Sequence, residues 1–401
     1  MKHKPLLIIF VTLLLDTISI GMIVPILPSL FTDPKSSEFL LHSINPSWWY
    51  FIAGATTGLF GIMQFIFAPI LGEFSDKVGR KPVLLGCIAV LIIANTLFAI
   101  SILIHSFTLA IFSRAIAGIS SANFSVAGAV IADSTTFKNR TSNFGIIGMA
   151  FGAGFVLGPA LCSLLVSITG SSSVPFFFAG GFGLLNLYWV QTMLPETNLH
   201  PKDRNNSSLF PGITSIKKAV INKTLRPVYL CSFFFFIPFI FISTFSTFFL
   251  TDKFNLNQKE LGIYFTTVGV AMILTQGFLL RIVTKITSEY TLICISLLAF
   301  CLSLIFFPHM PTLHAQYLFI PAIVIPIALV NSNLNALLSK LSNKDDQGVA
   351  LGILGSISAL ISGIAPLVGG FFISHFGYIF LFMFGSISAV IAFLYMRSLQ
   401  K

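Results

Sequence analysis

The chain has 401 residues, 55% of them hydrophobic and 9% charged, with a net charge of +10 and a mean hydropathy of +0.93. Soluble domains carry about 25% charged residues, so a water-soluble globule is excluded and lipid must be the solvent for most of the surface. The positive charge does not indicate nucleic acid, because Lys and Arg sit in short gaps between apolar runs rather than on one basic face.

Apolar stretches long enough to cross about 30 Å of hydrocarbon as helix recur along the chain. They predict spans at 5–31, 48–71, 82–104, 108–132, 143–169, 175–194, 224–250, 259–282, 290–307, 314–338, 347–373 and 377–396. An open strand would leave its backbone groups unpaired in lipid, and the ten-residue alternation of a barrel is missing. The predicted fold is therefore all-α, with twelve transmembrane helices in two six-helix halves. The first run is too long for a signal-peptide core and lacks a small-residue cleavage site, so it is expected to remain as the first span. Of the twenty-three lysines and arginines, only Lys35, Lys253 and Lys259 fall in the gaps assigned to the outside, and Arg114 lies within a span. The remainder mark the opposite gaps and both termini as cytoplasmic.

One long polar gap, 195–223, divides an N-terminal half (1–194) from a C-terminal half (224–401) as a cytoplasmic linker. Within it, Ile213, Ile216 and Val220 share a helical face beside Lys217, Lys218 and Lys223, the pattern of a helix lying on the leaflet; a plain flexible linker fits equally. The five cysteines all fall in apolar runs and the histidines are scattered, so neither a disulfide framework nor a metal site is expected. No cofactor is expected either. No polar cluster supplies a nucleophile with its base, so the chain is not read as an enzyme.

In chain order, the first polar feature is Asp16, about eleven residues and ~16 Å of helical rise into its span. It is the acid placed well inside hydrocarbon, where charge is costly, and it can load and release a proton as its access to water alternates. The alternative is a hydrogen-bonded carboxyl tying the first span to a neighbour. The loop after span two reads Gly72-Glu-Phe-Ser-Asp76-Lys-Val-Gly79-Arg80-Lys81. Its glycines permit a tight turn and its charges can latch one conformation; marking of the inner face is the blander reading. Arg114 in span four must face a polar cavity and a partner; direct substrate binding and a structural pair with Asp16 are both open. Asp133 and Arg140 either join the Asp76 cluster or form an ordinary solvated pair. Span five carries Gly148, Gly152, Gly154, Gly158 and then Pro159, a series that admits a closely packed neighbour and a kink.

Farther along, the run Phe233–Phe236 is expected to be lipid-facing bulk rather than an aromatic pocket. Gln64, Asn123, Gln276, Asn331 and Asn335, with Asn333, are candidates to line a central cavity or to bond between helices. Gly145, Gly148 and Pro159 are repeated 207 residues later as Gly352, Gly355 and Pro366, as related halves of a secondary transporter would be.

The loop at Gly72–Lys81 resembles the signature loop of the major facilitator superfamily, G-x-x-x-D-x-x-G-R-K, with Phe74 and Lys77 in place of the usual Leu and Arg. Three further segments are similar to the drug:proton antiporter branch, and to its tetracycline-efflux proteins in particular. They are Asp16-Thr-Ile-Ser-Ile-Gly21-Met-Ile-Val-Pro25-Ile-Leu-Pro28, Arg114-Ala-Ile-Ala-Gly118 with Ala132-Asp133-Ser-Thr, and the glycines of span five; Gln64 and Pro69 also fit. The resemblance covers residues 5–195 closely and the second half by general pattern. It implies the major facilitator fold in a bacterial inner membrane. It also implies a monomer that exchanges protons for a small-molecule substrate, with Asp16 and Arg114 in proton coupling. Cys162 and Ser163 replace two glycines usual in the branch. The second-half counterpart of the loop, Arg281 to Glu289, lacks the Asp and both glycines. Span nine offers Cys294 and Ser296 where tetracycline exporters carry an acid, which argues for a different cargo. A metabolite or siderophore transporter of the same fold, with inward transport left open, and a non-transporting receptor are the rival readings.

Overall fold

The computed structural model describes residues 4–121, 123–135, 140–198, 224–342 and 347–400, and among these no strand occurs. Span one runs over Lys4–Met22 and, where Pro25 and Pro28 break the ladder, continues as a 3₁₀ turn and a short helix to Phe31. Spans two to six follow at Trp49–Val78, Arg80–Leu103, Phe107–Ser120 with Asn123–Ser134, Arg140–Thr169 and Val174–Met193. Span seven is Arg226–Phe254, and span eight is Gln258–Leu274 continued through a π turn at Thr275–Leu279 into Leu280–Ile286. Spans nine and ten are Glu289–Phe306 and Leu313–Leu341. The 51-residue run Gln347–Arg397 is two helices meeting at Gly377, whose φ of 80° only glycine adopts readily.

Ten of the described helices are long and apolar enough to cross a membrane. The 51-residue run is two spans, and Val174–Met193 is the remaining one, giving the twelve-helix fold. The linker from residue 199 to 223, with its expected surface helix, lies outside the described residues.

The helices form two compact units. The first holds residues up to His42 and those from Leu59 through span six; the second holds Ser43–Gly58 with spans seven to twelve. A boundary at residue 194 gives all of span two to the first half, but its opening residues pack with the second unit. Glycines make this possible: a Cβ on Gly54 or Gly58 would collide with the carbonyl oxygen of Pro366 or Gly363, and one on Gly370 with that of Tyr50.

In the first unit, Ile9 and Leu13 of span one meet Leu84 and Ile88 of span three, Val126 and Val130 of span four and Val190 of span six. In the second, Phe235, Phe241, Phe245, Phe248, Phe300 and Phe382 are fully buried. The run Phe233–Phe236 is therefore not lipid-facing bulk: Phe235 and Phe236 are buried, and Phe234 stacks on Tyr395 with centroids 5.6 Å apart. The surface left for lipid is furnished by residues such as Ile93, Phe112, Leu185, Leu302, Leu318 and Leu394.

Candidate functional site

Thr12, Asp16 and Ser19 recur at i, i+4 and i+7 and so share one face of span one. On that face Thr12 Oγ1 donates to Asn186 Oδ1 of span six, and Ser19 Oγ donates to Asn95 Oδ1 of span three, each at 3.0 Å. Between them the buried Asp16 carboxylate accepts a hydrogen bond from Asn123 Nδ2 of span four. A cavity with room for about one water opens beside it, with Asp16, Ser19, Asn95 and Asn186 as its polar lining. An adjacent face of span one meets span five: Thr17 Oγ1 donates to Leu13 O and, at 3.2 Å, to Ala150 O.

Arg114 is also buried, but among the described residues no ion pair joins it to Asp16. Its guanidinium instead lies 5.1 Å from the Phe60 ring centroid and 5.7 Å from that of Phe98. Nε has no hydrogen-bond partner, and neither does Asn123 Oδ1. Cation–π contacts of this kind are worth roughly 2 kcal/mol when desolvated, so two aromatic faces hold the charge while its donor stays unused. The direct structural pair with Asp16 is thus absent from this arrangement. Gln64, on span two, is half-buried.

The glycine series of span five divides. A Cβ on Gly154 would overlap the Thr17 side chain, and one on Gly158 would lie 2.7 Å from Ile18 O and 2.8 Å from Gly21 Cα. These two glycines and the buried Pro159 are where span five closes on span one. Gly148 has open space around it among the described residues, so it is not required for that contact, and Gly152 is half-buried. In the second unit Gly369 of span eleven closes likewise on Phe245 of span seven.

The loop of the signature pattern is tied at three points. Gly79, with φ of 113°, turns the chain into the helix beginning at Arg80. Arg80 reaches three groups: Nη1 to Asp76 Oδ1 at 2.5 Å and to Ser75 Oγ at 2.6 Å, and Nε to Asp133 Oδ2 at 3.1 Å. Asp133 therefore joins the cluster from the end of span four; Arg140 has no described side chain. Gly72 permits the approach of Ser125 of span four, whose Oγ would lie 2.8 Å from an added Cβ. The third tie is Glu196, which follows span six. Its carboxylate accepts from the backbone N–H groups of Arg80 (2.9 Å) and Lys81 (3.1 Å), filling the open donors of that helix terminus. Burial pushes the Glu196 carboxyl up, but the N–H groups of Asn198, Arg80, Lys81 and Thr197 outweigh it and hold it below the usual carboxylate range. Lys81 Nζ donates to Gln191 O at 2.7 Å, and Asn198 Nδ2 to Asp76 O at 2.7 Å.

The second unit has a counterpart. Glu289, at the start of span nine, pairs with Lys340 near the end of span ten, the places that Arg80 and Asp133 occupy in spans three and four, with the signs exchanged. Gln276 is half-buried within the π turn of span eight. The asparagines of span ten bond back to their own helix: Asn333 Nδ2 donates to Leu329 O and the exposed Asn335 donates to Asn331 O, each at 2.8 Å. They do not converge on one point. In span nine Ser296 is buried, and Cys301 Sγ lies 3.0 Å from Ser386 Oγ of span twelve.

Glu196, Asn95, Asn186, Thr12 and Ser19 are the site residues that sequence reasoning passed over. The amides carried a usable signal, since an asparagine inside an apolar run must find a partner; Glu196 carried none.

The sequence profile of the Major Facilitator Superfamily matches residues 9–362. The chain is 30% identical over 387 residues to the tetracycline resistance protein, class D, of Salmonella ordonez, across 93% of this chain and 90% of that protein. It is 26% identical to multidrug resistance protein 1 of Bacillus subtilis (strain 168), across 92% of this chain and 90% of that one. Its fold is that of the human organic anion transporter MFSD10 (TETRAN), with a TM-score of 0.77 at 23% identity, across 98% of this chain and 99% of that chain. Twelve helices, the tied signature loop and these likenesses agree: the chain belongs to the major facilitator superfamily and is a multi-pass membrane transporter of small molecules.

Proposed function

We propose that the protein exports a drug-like or amphiphilic small molecule from the bacterial cytoplasm, driven by protons and working by alternating access as a monomer. The observation that carries this is Asp16, a buried carboxyl that accepts from the neutral amide of Asn123 and, among the described residues, is paired with no cation. An ionised carboxylate left unpaired in the membrane is expensive, and a proton is the simplest neutralising partner. Asp16 loads a proton when its surroundings open to the outside and releases it towards the cytoplasm as cargo leaves. Arg114, buried between two rings with Nε unpartnered, is the cation assigned a part in the coupling.

The Asp76–Arg80–Asp133 cluster serves as the cytoplasmic latch, and Gly154, Gly158 and Pro159 hold span five closed on span one against leak. Export, rather than uptake, is supported by the tetracycline and multidrug resistance proteins among the relatives. Span nine supplies thiol and hydroxyl groups where an acid would stand, which favours a cargo other than tetracycline. Gln64, Gln276, Asn331 and Asn335 are candidate lining groups, whereas Asn123 acts on Asp16.

The test is reconstitution into liposomes with an imposed pH gradient and a panel of dyes, antibiotics and iron chelators. Gradient-dependent accumulation of a dye or antibiotic, with protons moving the other way, is the expected result. Equal movement without the gradient contradicts proton coupling, and chelator movement in the direction of the protons favours the importer reading.

A further inference from the structure

The face of span one that carries Asp16 is more than a helix contact. Its three polar groups alternate with amides from two other spans, Thr12 with Asn186 and Ser19 with Asn95, and the cavity lies among them. Each hydroxyl donates to an amide oxygen. Asn95 and Asn186 line the same cavity as Asp16, and with each Oδ1 accepting from a hydroxyl the amide nitrogens remain as donors for what the cavity holds. N–H donors on one side and an anionic acceptor on the other match one water molecule, which accepts from the amides and donates to the carboxylate. The same donors repel a metal cation.

We propose that Asn95 and Asn186 are positioning residues that hold a single water against Asp16, and that this water, donating to the carboxylate, stabilises the ionised form once the proton has left. The inference rests on the proton-coupling role proposed for Asp16. In the step, the carboxyl O–H bond breaks and the proton passes to water entering from the cytoplasmic side, while the held water stays neutral. The carboxylate left behind is held by Asn123 Nδ2 and by the bridging water, whose own lone pairs are held by the amides. Removing an amide donor therefore destabilises the ionised form and makes the proton harder to release. The other titratable groups on elements packed against span one are Arg80, Lys81 and Cys87 of span three, the last within electrostatic reach of Asp16, and Arg114 and Asp133 of span four; Arg80, Lys81 and Asp133 are engaged at the cytoplasmic loop. Span five brings Cys162, within reach of Glu38 rather than Asp16, and span six brings Tyr188, which is exposed.

The experiment uses the full-length protein in liposomes, reading the pH dependence of gradient-driven flux in the wild type, Asn95→Leu, Asn186→Leu and the conservative Asn95→Gln. Both leucine variants are expected to lower the proton concentration for half-maximal flux about tenfold, one pH unit, while Asn95→Gln stays near wild type. A merely structural role would lower the rate without moving the profile, and that result overturns the proposal. If a leucine variant fails to fold, infrared difference spectra of the wild type between low and high pH decide. A water O–H band shifted by H₂¹⁸O and absent in Asp16→Asn supports the proposal, and its absence in the wild type overturns it. Failure of the underlying reading looks different, because Asp16→Asn would then retain gradient-driven flux.

Discussion

Glu196 caps the helix that opens at Arg80, although 116 residues separate them in the chain. The carboxylate takes two backbone N–H groups at the positive end of a helix dipole, a placement that favours its charged form. Glu196→Gln should cost about 1 kcal/mol of stability, in the range of other lost caps, read as a lower melting temperature in detergent. Because the folded-state affinity for a proton is depressed, the wild-type advantage is present above the ordinary glutamate range. It should disappear as pH falls through and below that range, so the two melting temperatures converge in acid and diverge near neutrality.

The latch pairs of the two units should differ in weight. The Arg80 side chain is 12% exposed and bonds to Asp76, Asp133 and Ser75, whereas Lys340 is 63% exposed and, among the described residues, pairs with Glu289 only. Exposed pairs are worth about 0–1 kcal/mol, so Lys340→Ala should leave the melting temperature nearly unchanged. Arg80→Lys keeps the charge but loses the planar fork that reaches two acids at once. It should slow transport severalfold in the same liposome assay.

The glycines of span five should separate by position. Gly154→Ala and Gly158→Ala place a methyl against Thr17 and the span-one backbone, and overpacking of that kind costs about 1–3 kcal/mol. Gly148→Ala meets open space and should be neutral or slightly stabilising through helix propensity. Thermal melts of the three variants check the order, and equal losses at all three would contradict the packing account.

Much of this was legible in the sequence because the membrane restricts what a chain can do. Apolar length gave the spans, and the end of span eleven fell close to Gly377. Asp16, Arg114 and the loop charges stood out because charge in or beside hydrocarbon needs a reason. What stayed hidden depends on tertiary placement. Hydropathy does not separate a phenylalanine packed on Phe300 from one facing lipid, so Phe235 was misread. Glu196 looks like an ordinary residue at the start of a linker until span six sets it beside Gly79. The glycines of span two say that something approaches closely, but not that Pro366 and Gly363 do so. Thr12 and Ser19 are ordinary helix residues until Asn186 and Asn95 are seen opposite them.

The central claim is that Asp16 carries the coupled proton, and counting protons against cargo tests it most directly. Proteoliposomes holding a trapped pH indicator and a transported dye are compared for the wild type and Asp16→Asn, with and without a pH gradient. The account predicts that wild-type dye accumulation dissipates the gradient. Asp16→Asn should still equilibrate dye down its own gradient while moving no protons and accumulating none against it. Asp16→Asn protein that accumulates dye and moves protons as the wild type does would contradict the account.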